Sequence, residues 1–205
     1  MDSIHKLTQI FTEFPGIGPR QAKRFVYFLL TRNKSYIQEF IELVKELEKE
    51  ISICQDCQRY FTKNKSLGVR CEICASKTRP DTTLMIVSRD VDLENIEKSH
   101  SFDGKYFVLG GNVPILDKNP ENKIRLKELV SLIEKKSQTG LKEIILGLNA
   151  NTEGEYTGHY LIQALSPLVT KYDIKISHLG RGLSTGTELE YSDADTIKSA
   201  LQNRN

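Results

Sequence analysis

The sequence predicts a multidomain chain of the α plus α/β class, and three observations lead there. Apolar residues recur at helical spacing through the first fifty residues. All four cysteines fall in one short stretch, as two Cys-x-x-Cys pairs. From residue 82 onward, short apolar runs of strand type alternate with helical segments, the signature of a mainly parallel sheet covered on both faces. The chain has 205 residues, of which 39% are hydrophobic and 27% charged. That is an ordinary globular composition, with room for one large domain or two small ones.

The first helix is expected over residues 4–14, where Ile4, Leu7, Ile10, Phe11 and Phe14 share a face. The turn "FPGIGPRQ" follows. Ala22, Phe25, Val26 and Leu29 continue the pattern over 20–31, and Ile37, Phe40, Ile41, Val44, Leu47 and Ile51 mark a third helix. In the turn, Gly16 and Gly18 permit backbone conformations closed to other residues and leave no side chain in the way, and Pro19 suits a first helical position. Backbone N–H groups at such a helix start can hold a phosphate, with Arg20, Lys23 and Arg24 adding charge. The segment resembles a helix–hairpin–helix, a module that grips DNA backbone without reading sequence. A plain corner between two helices is the alternative.

Cys54 and Cys57 form one pair and Cys71 and Cys74 the other, with thirteen residues between Cys57 and Cys71. Two Cys-x-x-Cys turns complete a tetrahedral thiolate shell for zinc, and four thiolates leave no open position, so such a site is structural. Bound metal also replaces the core that a segment of ~30 residues cannot build. Redox pairs and free buried thiols are the alternatives. Arg59, Lys63, Lys65 and Arg70 lie between the pairs beside Tyr60 and Phe61, a mixture that suits either a nucleic-acid surface or a solvated loop.

In the second half, strands are expected at 82–87, 106–110, 143–149 and 174–180, and helices near 92–98, 123–136 and 156–169. "EIILGLNANTEGEYTGHYLIQAL" reads as strand, loop and helix, with Glu153 and Glu155 in the loop. Two carboxylates at a strand end can hold Mg²⁺ for phosphoryl chemistry, or can simply favour a helix N-terminus. The first strand ends near Ser88, where a metal site would want another acid, and Asp90 and Asp92 fall at a helix start. His159 sits inside a helical pattern and reads as an ordinary packed or exposed histidine.

Residues 1–80 carry 14 Lys/Arg against 9 Asp/Glu, a net of +5, and residues 81–205 carry 15 against 18, a net of −3. The basic end hints at a polyanionic partner. No apolar run of signal-peptide or membrane-spanning type occurs, so a cytoplasmic protein is expected, and in a reducing compartment paired cysteines point to metal rather than disulfides.

Taken in order, "FPGIGPRQAKRFVYFLL", the two cysteine pairs, "FDGKYFVLGG", "NANTEGEYTGHYL" and "RGLSTGTELEYSDADTIKSAL" resemble the bacterial recombination mediator family RecR over essentially the whole chain. The resemblance implies a helix–hairpin–helix at 1–52, a four-cysteine zinc finger at 53–79, a Toprim domain at 80–178 and a short Walker-B-like segment at 179–205. It implies one structural Zn²⁺ per chain on Cys54, Cys57, Cys71 and Cys74. DNA contacts are implied at Arg20 and Arg24, beside Gly16 and Gly18, with Lys23 added on its chemistry, and the Toprim acids are Glu153, Glu155 and Asp92. It further implies a non-enzymatic, nucleoid-associated protein that binds single- and double-stranded DNA, forms dimers or ring-like tetramers, and acts with RecO and RecF to load RecA. A Toprim-type Mg²⁺-dependent nuclease or primase-like phosphotransferase is the rival. The chain departs from the family in a longer gap between the cysteine pairs, in Ser88 where a glutamate is usual, and in Ser184–Thr185–Gly186–Thr187 where Pro-Val-Gly-Gly is usual.

Overall fold

The computed structural model describes residues 2–64, 66–115, 122–183, 185–186 and 188–203. Lys65, Ser184 and Thr187 lie outside the described residues. The chain divides into two compact units, Met1–Ile51 and Ser52–Asn205.

The first unit holds α1 (Ser3–Thr12), α2 (Pro19–Leu30) and α3 (Lys34–Glu50), at the positions their apolar spacing predicts. Asp2 caps α1 by accepting from the His5 amide at 2.8 Å, and Asn33 caps α3 by accepting from Tyr36 at 2.8 Å. Phe11, Ala22 and Val26 form the buried core, with Ile4, Ile17 and Leu29 packed against it. No residue of α3 is buried.

The second unit opens with a two-stranded ribbon, β1 (Ile51–Ile53) and β2 (Tyr60–Thr62), followed by the single-turn helix α4 (Glu72–Ala75). Next come β3 (Thr83–Val87), α5 (Asp90–Ser99), β4 (Lys105–Val108), α6 (Leu126–Ser137), β5 (Glu143–Gly147), α7 (Thr152–Tyr172) and β6 (Lys175–His178). The strands form one parallel sheet in the order β4-β3-β5-β6, with Leu84 opposite both Lys105 and Ile144. A 3-10 turn at Leu189–Tyr191 leads to α8 (Ala194–Gln202).

Strand alternation sorts the core into two layers. Leu84, Ile86, Phe107, Ile144 and Leu146 pack with Leu129 and Ile133 of α6 and Leu161 and Leu165 of α7. Met85, Val87, Tyr106 and Val108 pack with Leu93 of α5 and with the cysteines. The four-cysteine segment is therefore one of the two covers on that face of the sheet, and it shares a core with residues beyond 80.

Three local features go beyond the pattern. The helix expected over 156–169 spans Thr152–Tyr172, because Asn151 caps it by accepting from the Gly154 amide at 2.9 Å and Asp173 ends it in the left-handed region. Gly154 sits so close to the preceding loop that a Cβ would fall 2.0 Å from the Asn149 carbonyl oxygen. Helix α8, inside the segment that the resemblance gives as Walker-B-like, starts where Asp193 accepts from the Thr196 amide at 2.9 Å.

The four-cysteine centre and the basic hairpin

Cys54 and Cys57 bracket a tight turn in which the Gln58 amide donates to the Cys54 carbonyl at 3.0 Å and Gln58 itself adopts φ 61°. Cys71 is the N-cap of α4, and Cys74 lies in its only turn. The four Sγ atoms all lie within 4.8 Å of one another, and every cysteine is buried. Cys57 Sγ and Cys71 Sγ are 3.6 Å apart. That is far beyond a disulfide, and it is close to the ~3.8 Å edge of a tetrahedron with metal–sulfur bonds of ~2.3 Å. The Cys71 amide donates to Cys54 Sγ at 3.3 Å, as an amide beside a metal-bound thiolate would. Hydrogen bonds from Cys57 and the other thiols pull Cys54 towards the thiolate, while the same crowding pushes Cys57 and Cys74 up. Four thiolates without a cation would repel one another, and a tetrahedral divalent metal removes that conflict. The donor set fits such an ion and leaves no ligand position for substrate.

The module is tied to the sheet by groups that periodicity does not reveal. The Val108 amide donates to the Cys57 carbonyl at 2.8 Å. Lys105, 3% exposed at the start of β4, donates from Nζ to the carbonyls of Ile73 at 2.8 Å, Ser76 at 2.7 Å and Cys74 at 3.4 Å. Burial pushes its pKa below the usual lysine range. Arg125 donates to the Gln58 carbonyl at 2.5 Å, and Tyr60 N donates to Asp90 Oδ1 at 2.8 Å. A lone lysine heading the run "KYFVLG" is the one hint the sequence holds of the Lys105 tie.

These contacts also decide the role of the loop between the cysteine pairs. Arg59 pairs with Glu72 at 2.9 Å and Arg70 with Asp56 at 2.5 Å, and Phe61 is buried against the cysteines. Two of the four basic residues are thus ion-paired within the fold and one of the two aromatics is buried, which favours the solvated loop of the two readings open for this segment.

In the helical hairpin, Gly16 adopts φ +75°, which requires glycine. Gly18 does not: at φ −84° it is extended backbone, and its contribution is open space before the helix, since no side chain caps α2. Pro19 takes the first helical position. Among the described residues no carboxylate forms an ion pair with Arg20, Lys23 or Arg24.

The acids of the second half are not in a loop. Glu153 and Glu155 lie in the first turn of α7, and Glu155 pairs with Arg181 at 2.7 Å. Asp92 accepts from the Arg89 amide at 3.0 Å, which caps α5. Ser88 is buried at the end of β3 and donates to Asn112 Oδ1 at 2.6 Å. Among the described residues the cysteines form the one group of three or more His, Cys, Asp or Glu within reach of a shared ion. Glu153, Glu155 and Asp92 are not brought together in that way.

Comparison with known proteins agrees with this layout. A model of the Toprim domain family matches residues 82–180, and one described as RecR, C-terminal matches residues 182–205. The chain is 34% identical over 204 residues to "Recombination protein RecR" of Legionella pneumophila strain Philadelphia 1, covering 100% of this chain and 96% of the relative. It is 35% identical over 202 residues to the protein of the same name from Prochlorococcus marinus strain AS9601, covering 98% and 94%. The chain belongs to the RecR family of recombination proteins.

Proposed function

We propose that this protein is a non-enzymatic recombination mediator of DNA repair that holds single- or double-stranded DNA through backbone phosphates, as a dimer or ring-like tetramer. It acts with RecO and RecF to promote RecA loading on single-stranded DNA in the cytoplasm, at the nucleoid. The observation that carries this reading is the full-length similarity to recombination proteins, together with a basic hairpin whose cations no described carboxylate pairs. No described helix is long and apolar enough to cross a membrane.

In this reading Zn²⁺ sits on Cys54, Cys57, Cys71 and Cys74. It supplies cross-linking alone, and the chain's own residues bind DNA. The hairpin presents first-turn amides next to Gly18 and the charges of Arg20, Lys23 and Arg24 to phosphate oxygens. Against catalysis stand the neutral Ser88, committed to Asn112, and the Glu155–Arg181 pair.

The test is RecA filament formation on single-stranded DNA covered by single-strand-binding protein, with RecO and RecF present. Addition of this protein is expected to shorten the lag severalfold. Incubation with Mg²⁺ and DNA is expected to yield neither cleavage nor synthesis. Unchanged lag would refute the reading, and turnover that Glu153→Gln abolishes would favour the enzymatic one.

A further inference from the structure

Residues 52–79 hold six cationic side chains, Arg59, Lys63, Lys65, Arg70, Lys77 and Arg79, against two acidic ones, Asp56 and Glu72. Both acids are engaged: Glu72 answers Arg59 at 2.9 Å and Asp56 answers Arg70 at 2.5 Å. In the middle of this basic segment stand the four buried thiol groups. With a divalent ion on four thiolates, such a centre carries a net charge of about −2.

Lys105 lies outside that segment, at the first position of β4, and is buried. Its ammonium donates to the carbonyls of Ile73 and Cys74 in α4 and of the C-cap Ser76. Among the described residues no carboxylate forms an ion pair with it. Two negative charges reach it, those of Asp81 and Cys74, and Asp81 is half-exposed and already held by Lys136 at 2.6 Å. Carbonyls alone do not account for a cation at this position. A neutral amide would also donate to the end of a helix, whereas an unpaired buried charge carries a far larger desolvation cost. The negative charge that shares the interior with Lys105 is the thiolate centre, one of whose members, Cys74, lends its carbonyl to the ammonium at 3.4 Å.

We infer that Lys105 is the counter-charge of the metal centre. One buried ammonium on the sheet offsets part of the negative charge of the four thiolates, and so couples retention of the metal to the seating of the four-cysteine module on β4. In the low-dielectric interior such a pair is strong, and removing one partner leaves the other uncompensated. The inference rests on the zinc reading above.

The test uses the full-length protein and three substitutions. Lys105→Gln keeps a hydrogen-bond donor without the charge, Lys105→Met keeps neither, and Lys105→Arg keeps the charge. In competition with a chelator, both uncharged variants are expected to hold zinc about tenfold more weakly or worse, and Lys105→Arg to stay within about threefold of wild type. The second readout replaces zinc with iron, which a four-thiolate site also accepts. Iron there alternates between net charges of about −1 and −2, and a nearby cation favours the more negative, reduced form. Loss of the charge at Lys105 is expected to shift the one-electron equilibrium about tenfold towards ferric iron, a potential lower by about 59 mV, and Lys105→Arg to leave it in place. Lys105→Gln with wild-type zinc affinity and wild-type potential would overturn the inference, because hydrogen bonding would then suffice. So would weakened zinc with an unchanged potential, which marks a purely structural role. If neither uncharged variant folds while Lys105→Arg does, the charge is required as inferred; if Lys105→Arg fails with them, the inference falls. If wild type takes up no metal, the zinc reading itself fails and the counter-charge with it. If it holds zinc and all three variants match it, only the counter-charge fails.

Discussion

Stripping the metal is expected to unfold the segment from Cys54 to Cys74 and to loosen the sheet beside it. Four buried sulfurs held within 4.8 Å of one another have no other means of sharing that space as thiolates. The apparent binding energy of a structural zinc, about 10–16 kcal/mol, is of the same order as the whole stability of a typical domain, about 5–15 kcal/mol. The effect reaches the sheet because Met85, Val87, Tyr106 and Val108 share a core with the cysteines. Elemental analysis is expected to find one zinc per chain. Hydrogen exchange after chelation is expected to show lost protection in β2, α4 and β4, and Cys57→Ser should reproduce it or yield insoluble protein. A metal-free protein with the wild-type melting curve would exclude a structural metal.

Lys105→Met is expected to cost about 2 kcal/mol or more. It leaves the carbonyls of Ile73 and Ser76 without the ammonium that now satisfies them, and each buried, unsatisfied polar group costs about 1–3 kcal/mol; the Cys74 carbonyl still accepts from Arg70 at 2.8 Å. Methionine nearly preserves the volume, so a cavity adds little. The lysine also reaches the carbonyl of Cys74, a ligand of the proposed zinc, so the variant should also hold that zinc about 10- to 100-fold more weakly, as when outer-shell partners are lost. Urea unfolding and competition with a zinc chelator read the two effects separately. A stability change under about 1 kcal/mol, with unaltered zinc affinity, would show that the lysine is incidental.

Both predictions bear on how far the sequence alone reaches. Periodicity placed the first three helices because apolar residues recur along one side of each, and it placed the strands because each is a short apolar run; in β3, Leu84 and Ile86 face one layer, and Met85 and Val87 the other. Spacing alone identified the cysteine quartet, since two Cys-x-x-Cys turns admit few geometries. What escaped were contacts between residues distant in sequence. Nothing adjacent to Lys105 signals that its ammonium reaches α4, about thirty residues earlier in the chain, and nothing in "CQRYF" shows that Arg59 answers Glu72. Glu153 and Glu155 were placed in a loop because the Asn151 cap, which moves the helix start to Thr152, lies among residues that equally suit a turn. Gly16 and Gly18 looked equivalent, yet only Gly16 has positive φ, because Gly18 is the extended residue that precedes the helix.

The salt dependence of DNA affinity tests the central claim most directly. A protein that binds through phosphates releases counterions, and log K falls linearly with log salt at a slope of about −0.7 to −0.9 per neutralised phosphate. The full-length protein is expected to show a steep slope on DNA of any sequence. The triple variant Arg20→Ser, Lys23→Ser, Arg24→Ser should bind at least tenfold more weakly at moderate salt, with a slope shallower by about two to three. A triple variant with wild-type affinity and slope would contradict the account, because the hairpin would then not be the surface that meets DNA.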